Sequence, residues 1–591
     1  MLEEVASFSP KLLPWVSTCY GTPIHLQYGT SLIPSATGLQ QGDALASFLF
    51  SLALQPVLRK VELEVPNLAL HVWFLDDGTA VGTKVELQAV VDIVSREGAS
   101  RGLVVSTAAT TTAPRLPKST VWSPLHQGEE EESDPLARGV PLVKEPGVTL
   151  LGTPIGNKEF VKKELEAKVV KIRKIVELLP TIQDPHTQFV LLRSCLSLPK
   201  LSFVLRTTDT SPFQDILQDF DRLVRDALGS ILGTALSDLQ WKQASLPVSM
   251  GGLGLRGAQE HGPGLYCSSI IYSLTLSRTL QGIQEEGFPL SQEVLQAVSV
   301  SVGEEVTAES LAGLSQKDVS LMVNQYSLSN LKASTEQLGA VREVARLASL
   351  GLPRAGAWLN SPPIPALGLH LRATEFSMAV KLRLGCKIYQ REGPCPACLR
   401  PCDVFGDHAL CCGSWGERIT GHNHLRDHIH SMAATAVLSP VKEGQHLLPG
   451  AHRRPAYVLI PNWAQGRDAA LDITVIHPLQ RETVTAASTT PGHALTHAYN
   501  RKIRGAYEEC KTVGIEFIPI VFESLGGVHT VAEREARKLA SAVASRAGQE
   551  EEEASRHSFN RLSILLMKSN SAILSNRIPS YPEPYIDGTE I

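Results

Sequence analysis

The sequence predicts a multidomain α+β protein, and three observations carry this prediction. The chain has 591 residues, which is enough for three to five domains at about 100–200 residues each. Short apolar runs between Gly and Asp turns fill residues 1–157 and 441–535 and are typical of mixed strands and helices. Between them, residues 158–385 carry apolar positions that are mainly at helical spacing.

The composition describes an ordinary folded protein. Hydrophobic residues make up 43% of the chain and charged residues 19%, which excludes a disordered protein. No apolar run of about 18 residues occurs, and the first residues include two acids and no basic stretch, so we expect neither a membrane span nor a signal peptide. Ten cysteines in so long a chain do not make a disulfide scaffold. We therefore expect an intracellular protein, nuclear or cytoplasmic.

The charge distribution leaves nucleic-acid binding open. The net charge is −5, whereas phosphate binding requires clustered Lys and Arg. This average can hide a local basic face. Two acidic runs, 129–132 and 550–553, contribute much of the negative charge and are typical of solvated loops or tails.

A turn, a helix and a pair of acids form the main chemical pattern of the first region. Gly38, Gln41 and Gly42 predict a turn, Asp43 is a candidate helix N-cap, and residues 44–60 predict a helix. An apolar strand then ends in Asp76 and Asp77. Two carboxylates at a hairpin tip can bind Mg²⁺, a cation that takes oxygen ligands and substrate phosphates. The alternative is an ordinary polar turn.

The segment 158–179 predicts an amphipathic helix that ends at Pro180. The rest of its surface is basic and carries Lys158, Lys162, Lys163, Lys168, Lys171, Arg173 and Lys174. This face is either a solvated helix surface or a surface that follows a phosphate backbone.

A cysteine-rich module predicts a zinc site. Cys395, Cys398, His408 and Cys412 have the spacing C-x2-C-x9-H-x3-C. Four such ligands suit tetrahedral Zn²⁺ in a closed structural site. Cys411 could replace Cys412 as a ligand. We predict a zinc knuckle that shapes a surface for nucleic acid and has no catalytic role.

Two further patterns are interpreted as structural. Gly252, Gly254 and Gly257 form a GxGxxG, but their helical context argues against a dinucleotide site. His424 and His428 are four residues apart, which could allow metal binding. No Glu lies between them as in HExxH, so a polar helix face is the preferred interpretation.

The motifs of the first region resemble those of reverse transcriptases of the non-LTR retrotransposon type. The stretches GLQQGDALASFLFSLALQP and FLDDGTAVG are similar to palm motifs, and GVTLLGTPIG is similar to the primer-gripping hairpin. This resemblance implies that the turn of Gly38, Gln41, Gly42 and Asp43 contacts template and nucleotide. It also implies that the two acids of FLDDG bind Mg²⁺ for polymerisation. An earlier strand supplies a further Asp in the family, so we expect that this chain is N-terminally truncated.

The region after the knuckle resembles the restriction-like, PD-(D/E)xK endonuclease that follows the polymerase in one class of these elements. The resemblance implies that Asp472 is the second acid of a Mg²⁺ site and that Lys502 is the displaced lysine. The position of the first acid is occupied by Tyr457, and a phenol is a poor ligand for Mg²⁺. Asp468 and Glu443 are candidate substitutes.

The resemblance implies a specific domain order and function. The predicted segments are a partial reverse-transcriptase palm at 1–157, a thumb at 158–262, a helical linker at 263–385, a CCHC zinc knuckle with its following helix at 386–440, an endonuclease-like domain at 441–535 and a tail at 536–591. The implied function is RNA-directed DNA synthesis primed at a nicked DNA target, with RNA and DNA as partners. The alternatives are a non-catalytic nucleic-acid-binding protein and an inactive transposon relic.

Overall fold

The chain divides into two compact units, Met1–Leu165 and Glu166–Ile591. The computed structural model describes all residues except 36–37, 109, 111–116, 125–135, 137, 282–286, 445–446, 448–456, 465 and 580–591. Helices and small sheets occur in both units, so the predicted α+β class is confirmed. The acidic run 129–132 and the last residues of the predicted tail lie outside the described residues.

The described residues of the first unit form helices and three two-stranded antiparallel hairpins. Helices α3 and α4 share a core built from Val57, Val61, Ile93 and Val94, and Trp73 packs against it. The predicted helix at 44–60 is therefore present, but it begins at residue 46 and continues to residue 64. The elements are α1 (Leu2–Phe8), α2 (Leu13–Tyr20), β1 (Ile24–Tyr28), β2 (Ser31–Ser35), α3 (Ala46–Glu64), β3 (Leu70–Phe74), β4 (Asp77–Val81), α4 (Lys84–Ala99), β5 (Gly147–Leu150) and β6 (Thr153–Gly156).

The predicted basic helix forms as α5 (Lys158–Val176). Its buried positions include Leu165, Val169, Ile172 and Val176, which recur at steps of three or four as predicted. A short 3-10 turn follows at Leu179–Thr181.

The second unit begins with a helical region that extends to residue 384. Its helices are α6 (Pro185–Leu191), α7 (Leu198–Thr207), α8 (Gln214–Leu232), α9 (Asp238–Ser245), α10 (Ala258–Gln281), α11 (Gln292–Val302), α12 (Ala308–Leu311), α13 (Gln316–Gln337), α14 (Val341–Leu350) and α15 (Ala373–Leu384). The GxGxxG lies in the turn between α9 and α10. A Cβ on Gly252 would lie 2.0 Å from the carbonyl oxygen of Leu246. Gly252 thus allows a close backbone approach.

One stretch of this region, Pro185–Thr207, is long and apolar enough to cross a membrane by length and composition. Half of its apolar window is buried inside the protein. The core helix of a soluble protein has the same properties, so this is weak evidence for a membrane span.

The remaining part of the second unit combines the cysteine module, a four-stranded sheet and long helices. The sheet has the order β12-β11-β10-β9, with β11 and β12 parallel and the other pairs antiparallel. The elements are β7 (Gly393–Pro394), β8 (Pro401–Cys402), α16 (Asp407–Cys411), α17 (Glu417–Thr435), β9 (Val441–Lys442), β10 (Val458–Ala464), β11 (Arg467–Ile476), α18 (Val484–Thr489), α19 (His493–Thr512), β12 (Glu516–Glu523), α20 (Thr530–Ala547) and α21 (Glu551–Asn576).

The segment predicted as a tail contains most of α20 and all of α21. Helix α21 buries Phe559, Leu562, Leu566 and Leu574 and packs against α15, α17 and α20. The described part of this segment is therefore an integral element of the second unit. The acidic run 550–553 lies at the start of α21 and is exposed, as predicted for a solvated segment.

Candidate metal and nucleic-acid sites

The four predicted zinc ligands lie together. The ligand atoms of Cys395, Cys398, His408 and Cys412 are all within 4.8 Å of one another. Tetrahedral Zn²⁺ with bonds of about 2.3 Å to sulfur needs ligand atoms separated by roughly 4 Å, so the donor set fits this ion. Burial raises the pKa of the Cys398 thiol. Hydrogen bonds with Arg400 and with two of the other zinc ligands, Cys412 and His408, outweigh this effect and lower that pKa to about 6. A thiolate, the form that binds zinc, is thus available at neutral pH.

The local fold of the module follows from its turns. Leu399 has a φ of 63°, which reverses the chain after the first two cysteines, and the N–H of Cys395 donates to the carbonyl oxygen of Arg400 at 2.9 Å. The carboxylate of Asp403 accepts from the backbone N–H groups of Asp407 and His408 at 3.1 and 2.8 Å, at the start of α16. These bonds fix the backbone that carries the His408 ligand.

A buried polar chain joins this module to the ends of the sheet strands. The Nε2 atom of His477, after β11, lies 3.2 Å from Oδ1 of Asp407, and its Nδ1 lies 2.6 Å from Oγ of Ser524, after β12. Arg342 also donates to Oδ1 of Asp407, at 2.9 Å. Burial raises the pKa of Asp407, but the hydrogen bonds and charges of His477 and Arg342 lower it to about 2. The carboxylate is therefore charged and paired.

This Ser–His–Asp order is also that of a hydrolytic triad. Ser524 and His477 are buried, with 3% and 2% of their surface exposed. A substrate carbonyl cannot reach the hydroxyl of Ser524, so we assign the three residues a structural role.

The two predicted nuclease residues lie in contact. Asp472 is buried in the middle of β11, and its Oδ2 is 2.9 Å from Nζ of Lys502 on α19. Burial raises the pKa of the Asp472 carboxyl, and the charge and hydrogen bond of Lys502 partly offset this effect. The carboxylate that the resemblance assigns to Mg²⁺ is therefore paired with a lysine.

Tyr457, at the position that the resemblance assigns to the first acid, is joined by backbone hydrogen bonds to the strands on either side. The N–H of Tyr457 donates to the carbonyl oxygen of Leu471 at 3.0 Å, and its own carbonyl accepts from the N–H of Glu443 at 3.0 Å. The ring of Tyr457 packs against that of His422 with centroids 4.1 Å apart. Burial lowers the pKa of His422 to about 4, so its imidazole is neutral.

Neither candidate substitute supplies a free carboxylate here. Glu443 forms an ion pair with Arg426 on α17. The Oδ1 atom of Asp468 accepts from the N–H of Asn462 at 3.0 Å. Asp468 is also four residues before Asp472 on the same strand, which is about 13 Å away at 3.3 Å per residue.

Only some of the histidines on α17 lie on the polar face that the sequence predicts. His424 is exposed, but the Nε2 atoms of His422 and His428 are buried without a hydrogen-bond partner. Burial lowers the pKa of His428 to about 4. Among the described residues, His424 and His428 do not belong to a cluster that could hold a metal.

The predicted Asp–Asp hairpin is present in the first unit. Strands β3 and β4 pair from Leu70 opposite Val81 to Phe74 opposite Asp77, which places Leu75 and Asp76 in the turn. Leu75 has a φ of 57°. Asp76 and Asp77 are exposed. In the described part of the chain, no third Asp, Glu, His or Cys joins them at metal-binding distance.

The glycine after the two acids has a packing role. A Cβ on Gly78 would lie 2.6 Å from the indole ring of Trp73, which covers it on the opposite strand. The indole N–H of Trp73 donates to Nε2 of His71 at 2.7 Å. The hairpin therefore depends on Gly78 for its geometry.

The predicted template-contacting turn is an open loop before α3. Gly38 and Gly42 have φ values of 81° and 97°, and nothing lies within 4 Å of the place where a Cβ would be. Gln41 is exposed. Asp43 is not the N-cap, which is Leu45. The carboxylate of Asp43 accepts instead from the N–H of Leu45 at 2.8 Å and from the hydroxyl of Tyr20.

A cluster of lysines lies at the start of the second unit. Burial and the neighbouring charges of Lys200 and Lys171 lower the pKa of Lys168. Lys200, on α7, was not singled out from the sequence, because a lone lysine in a helix carries no pattern. Lys168 and these two neighbouring cations form a local positive field that attracts phosphate.

The comparisons with known proteins give one partial similarity. No protein-family model matches the chain. The chain is similar to the retrotransposable element SLACS 132 kDa protein of Trypanosoma brucei gambiense, with 23% identity over 222 residues. The match covers 38% of this chain and 17% of that relative, so the chain spans less than a fifth of the relative's length. This similarity supports a relationship to retrotransposon proteins.

Proposed function

We propose that the chain is a reverse-transcriptase-related protein of the non-LTR retrotransposon type whose retained function is to bind RNA and DNA inside the cell. In this proposal residues 1–157 are part of a palm, 158–262 a thumb, 263–385 a helical linker, 386–440 a zinc knuckle, and 441–535 a restriction-like domain. One observation carries it. The turn and helix α3, the Asp–Asp hairpin, the hairpin β5–β6 and the basic helix α5 follow one another in the order of the family's motifs.

Binding is favoured over polymerisation because of the donor set in the hairpin. Asp76 and Asp77 alone do not make a two-metal centre, which needs further ligands to hold both ions. The residues described here therefore do not fit the Mg²⁺ site of an active polymerase.

Binding is also favoured over cleavage at the sheet. Asp472 is paired with Lys502, and the resemblance assigns the position of the first acid to Tyr457. One paired carboxylate does not fit a Mg²⁺ site.

The zinc site has a structural part in this function. Zn²⁺ held by Cys395, Cys398, His408 and Cys412 would crosslink the turn, α16 and the start of the loop to α17. The site is closed, because four protein ligands leave no position for substrate.

Salt-dependent binding tests the proposal. Fluorescence anisotropy of labelled RNA and DNA should show a log-linear fall of affinity with salt. Lys171→Ala/Lys200→Ala should flatten that slope by about 1.5–2, the contribution of two phosphate contacts. The matched control is Lys317→Ala/Lys332→Ala, which removes two exposed lysines of α13. Equal slopes for both double variants would contradict a role for the lysine cluster, and absence of binding would refute the proposal.

Primer extension separates binding from the alternative, an active polymerase. With Mg²⁺, an RNA template and a DNA primer, we expect no more product than with Asp76→Asn/Asp77→Asn. Product that disappears in this double variant would show that the hairpin supports polymerisation and would replace the proposal.

A further inference from the structure

Trp415 lies between the zinc module and helix α17 in an unusual conformation. Its φ is 62°, a left-handed conformation that costs a bulky side chain free energy. Burial does not compensate for this cost, since 51% of the residue remains exposed. Trp415 comes three residues after the zinc ligand Cys412. Backbone strain that presents an aromatic ring to solvent is typical of a functional position.

The ring is supported from behind by a buried arginine. The guanidinium carbon of Arg577, at the end of α21, lies 4.8 Å from the centroid of the indole. Arg577 is fully buried, donates to the carbonyl oxygen of Ser414, and pairs with Oε2 of Glu417 at 2.9 Å. The cation therefore holds one side of Trp415 in a fixed orientation.

The neighbourhood leaves room for a flat ligand and offers a phosphate contact. Nothing lies within 4 Å of the positions where Cβ atoms on Gly413 and Gly416 would be. Arg418 is exposed, and its guanidinium donates to the carbonyl oxygens of Cys411 and Val475. These two contacts leave further N–H groups, because a guanidinium has five. Glu417, the first residue of α17, is neutralised by Arg577.

We infer that Trp415 is a stacking platform for an unpaired base of single-stranded RNA or DNA, with Arg418 beside it for the adjoining phosphate. The inference rests on the proposed function and specifies a site and a substrate class for it. An indole stacks on the face of any base and so binds without sequence preference. Duplex bases are already stacked on one another and cannot offer this face, which is why the inference is limited to single strands.

The test compares two variants with a matched control. Trp415→Ala removes the ring. Trp415→Gly also removes the ring, and glycine is the residue that best tolerates the φ of 62° at this position. Trp15→Ala is the control, because Trp15 on α2 is also 51% exposed. Anisotropy is measured with a labelled single strand and with a duplex of the same length over a range of salt. Zinc content and thermal melting verify that each variant is folded.

We expect both Trp415 variants to bind the single strand about ten-fold more weakly. The duplex affinity and the salt slope should not change, because stacking releases no counterions. Trp415→Phe should recover most of the affinity. Unchanged single-strand binding in a folded Trp415→Gly, a loss equal to that of Trp15→Ala, or an equal loss for the duplex would overturn the inference. Each of these outcomes is measured relative to a wild type that binds. Failure of the proposed function is a different result, because the wild type would then bind neither probe.

Discussion

Glu523 provides a direct test of the buried electrostatics of the second unit. It is the last residue of β12, pairs in register with Ile476 of β11, and has no exposed surface. Burial raises the pKa of its carboxyl from 4.5 to about 8, and the hydroxyl of Ser349 only partly offsets this. The carboxyl is therefore protonated at neutral pH in the folded chain.

The consequence is a loss of stability as the pH rises. Below pH 4.5 the carboxyl is protonated in both the folded and the unfolded chain. Between pH 4.5 and about 8 the unfolded chain releases the proton while the folded chain retains it, so the free energy of unfolding falls. At about 1.4 kcal/mol per pH unit, the difference between the two pKa values corresponds to at most about 5 kcal/mol, of which about 4 kcal/mol develops between pH 5 and pH 8.5.

Glu523→Gln should remove this dependence, because the amide does not titrate. Hydrogen exchange of the strand 516–523, followed by mass spectrometry and corrected for intrinsic rates, reports the opening free energy of β12 at each pH. The wild type should lose about 4 kcal/mol more than Glu523→Gln over this range. Glu516→Gln, at the other end of the same strand, is the control and should behave as the wild type. Parallel pH profiles for wild type and Glu523→Gln would refute the reasoning.

Three further predictions concern packing, the buried ion pair and the metal. Gly252→Ala should destabilise the second unit by about 2 kcal/mol or more. Gly505→Ala, in an open helical position, should be neutral or stabilising by about 0.5–1 kcal/mol. Equal melting temperatures for the Gly252→Ala and Gly505→Ala variants would contradict this prediction. Lys502→Met should cost about 3 kcal/mol because it leaves the buried carboxylate of Asp472 unpaired. Asp472→Asn/Lys502→Met should recover most of this cost, and a mutant cycle without coupling energy would disprove the pairing. The chain should contain zinc in a one-to-one ratio by metal analysis and Cys395→Ser none, so equal zinc contents would exclude the site.

Elements whose signals are local in sequence could be predicted closely. Helix α5 was predicted at 158–179 and forms at Lys158–Val176, because its apolar residues recur at the helical period over five turns. The hairpin β5–β6 is expected from the family resemblance, and its turn residues Leu151 and Gly152 both have positive φ. Glycine adopts this conformation readily, whereas the positive φ of Leu151 has no signal in the sequence. The zinc ligands could be found because metal geometry constrains spacing within a few residues.

Helix α21 escaped prediction because much of its buried face is polar. Ser558, Asn560, Ser563 and Asn570 are buried next to its apolar residues, so no simple apolar stripe marks the helix. The amide of Asn570 donates to the carbonyl oxygen of Ser524 at 2.7 Å, a partner 46 residues away in sequence. Contacts of this kind have no periodic signature, and only the folded chain brings them together.

The fold depends much more on the zinc module and its polar contacts than on the two acids of the Asp–Asp hairpin. The side chains of Asp76 and Asp77 are exposed, so replacing them costs little folding free energy. Cys395, Asp407 and His477 are instead buried or paired, and removing one leaves a buried partner unsatisfied. Substitution of these exposed acids should therefore leave the zinc module, the sheet and their connecting polar chain intact. Surfaces supported by that framework, such as Trp415 over Arg577, do not depend on the acids, which is why the function we propose is binding.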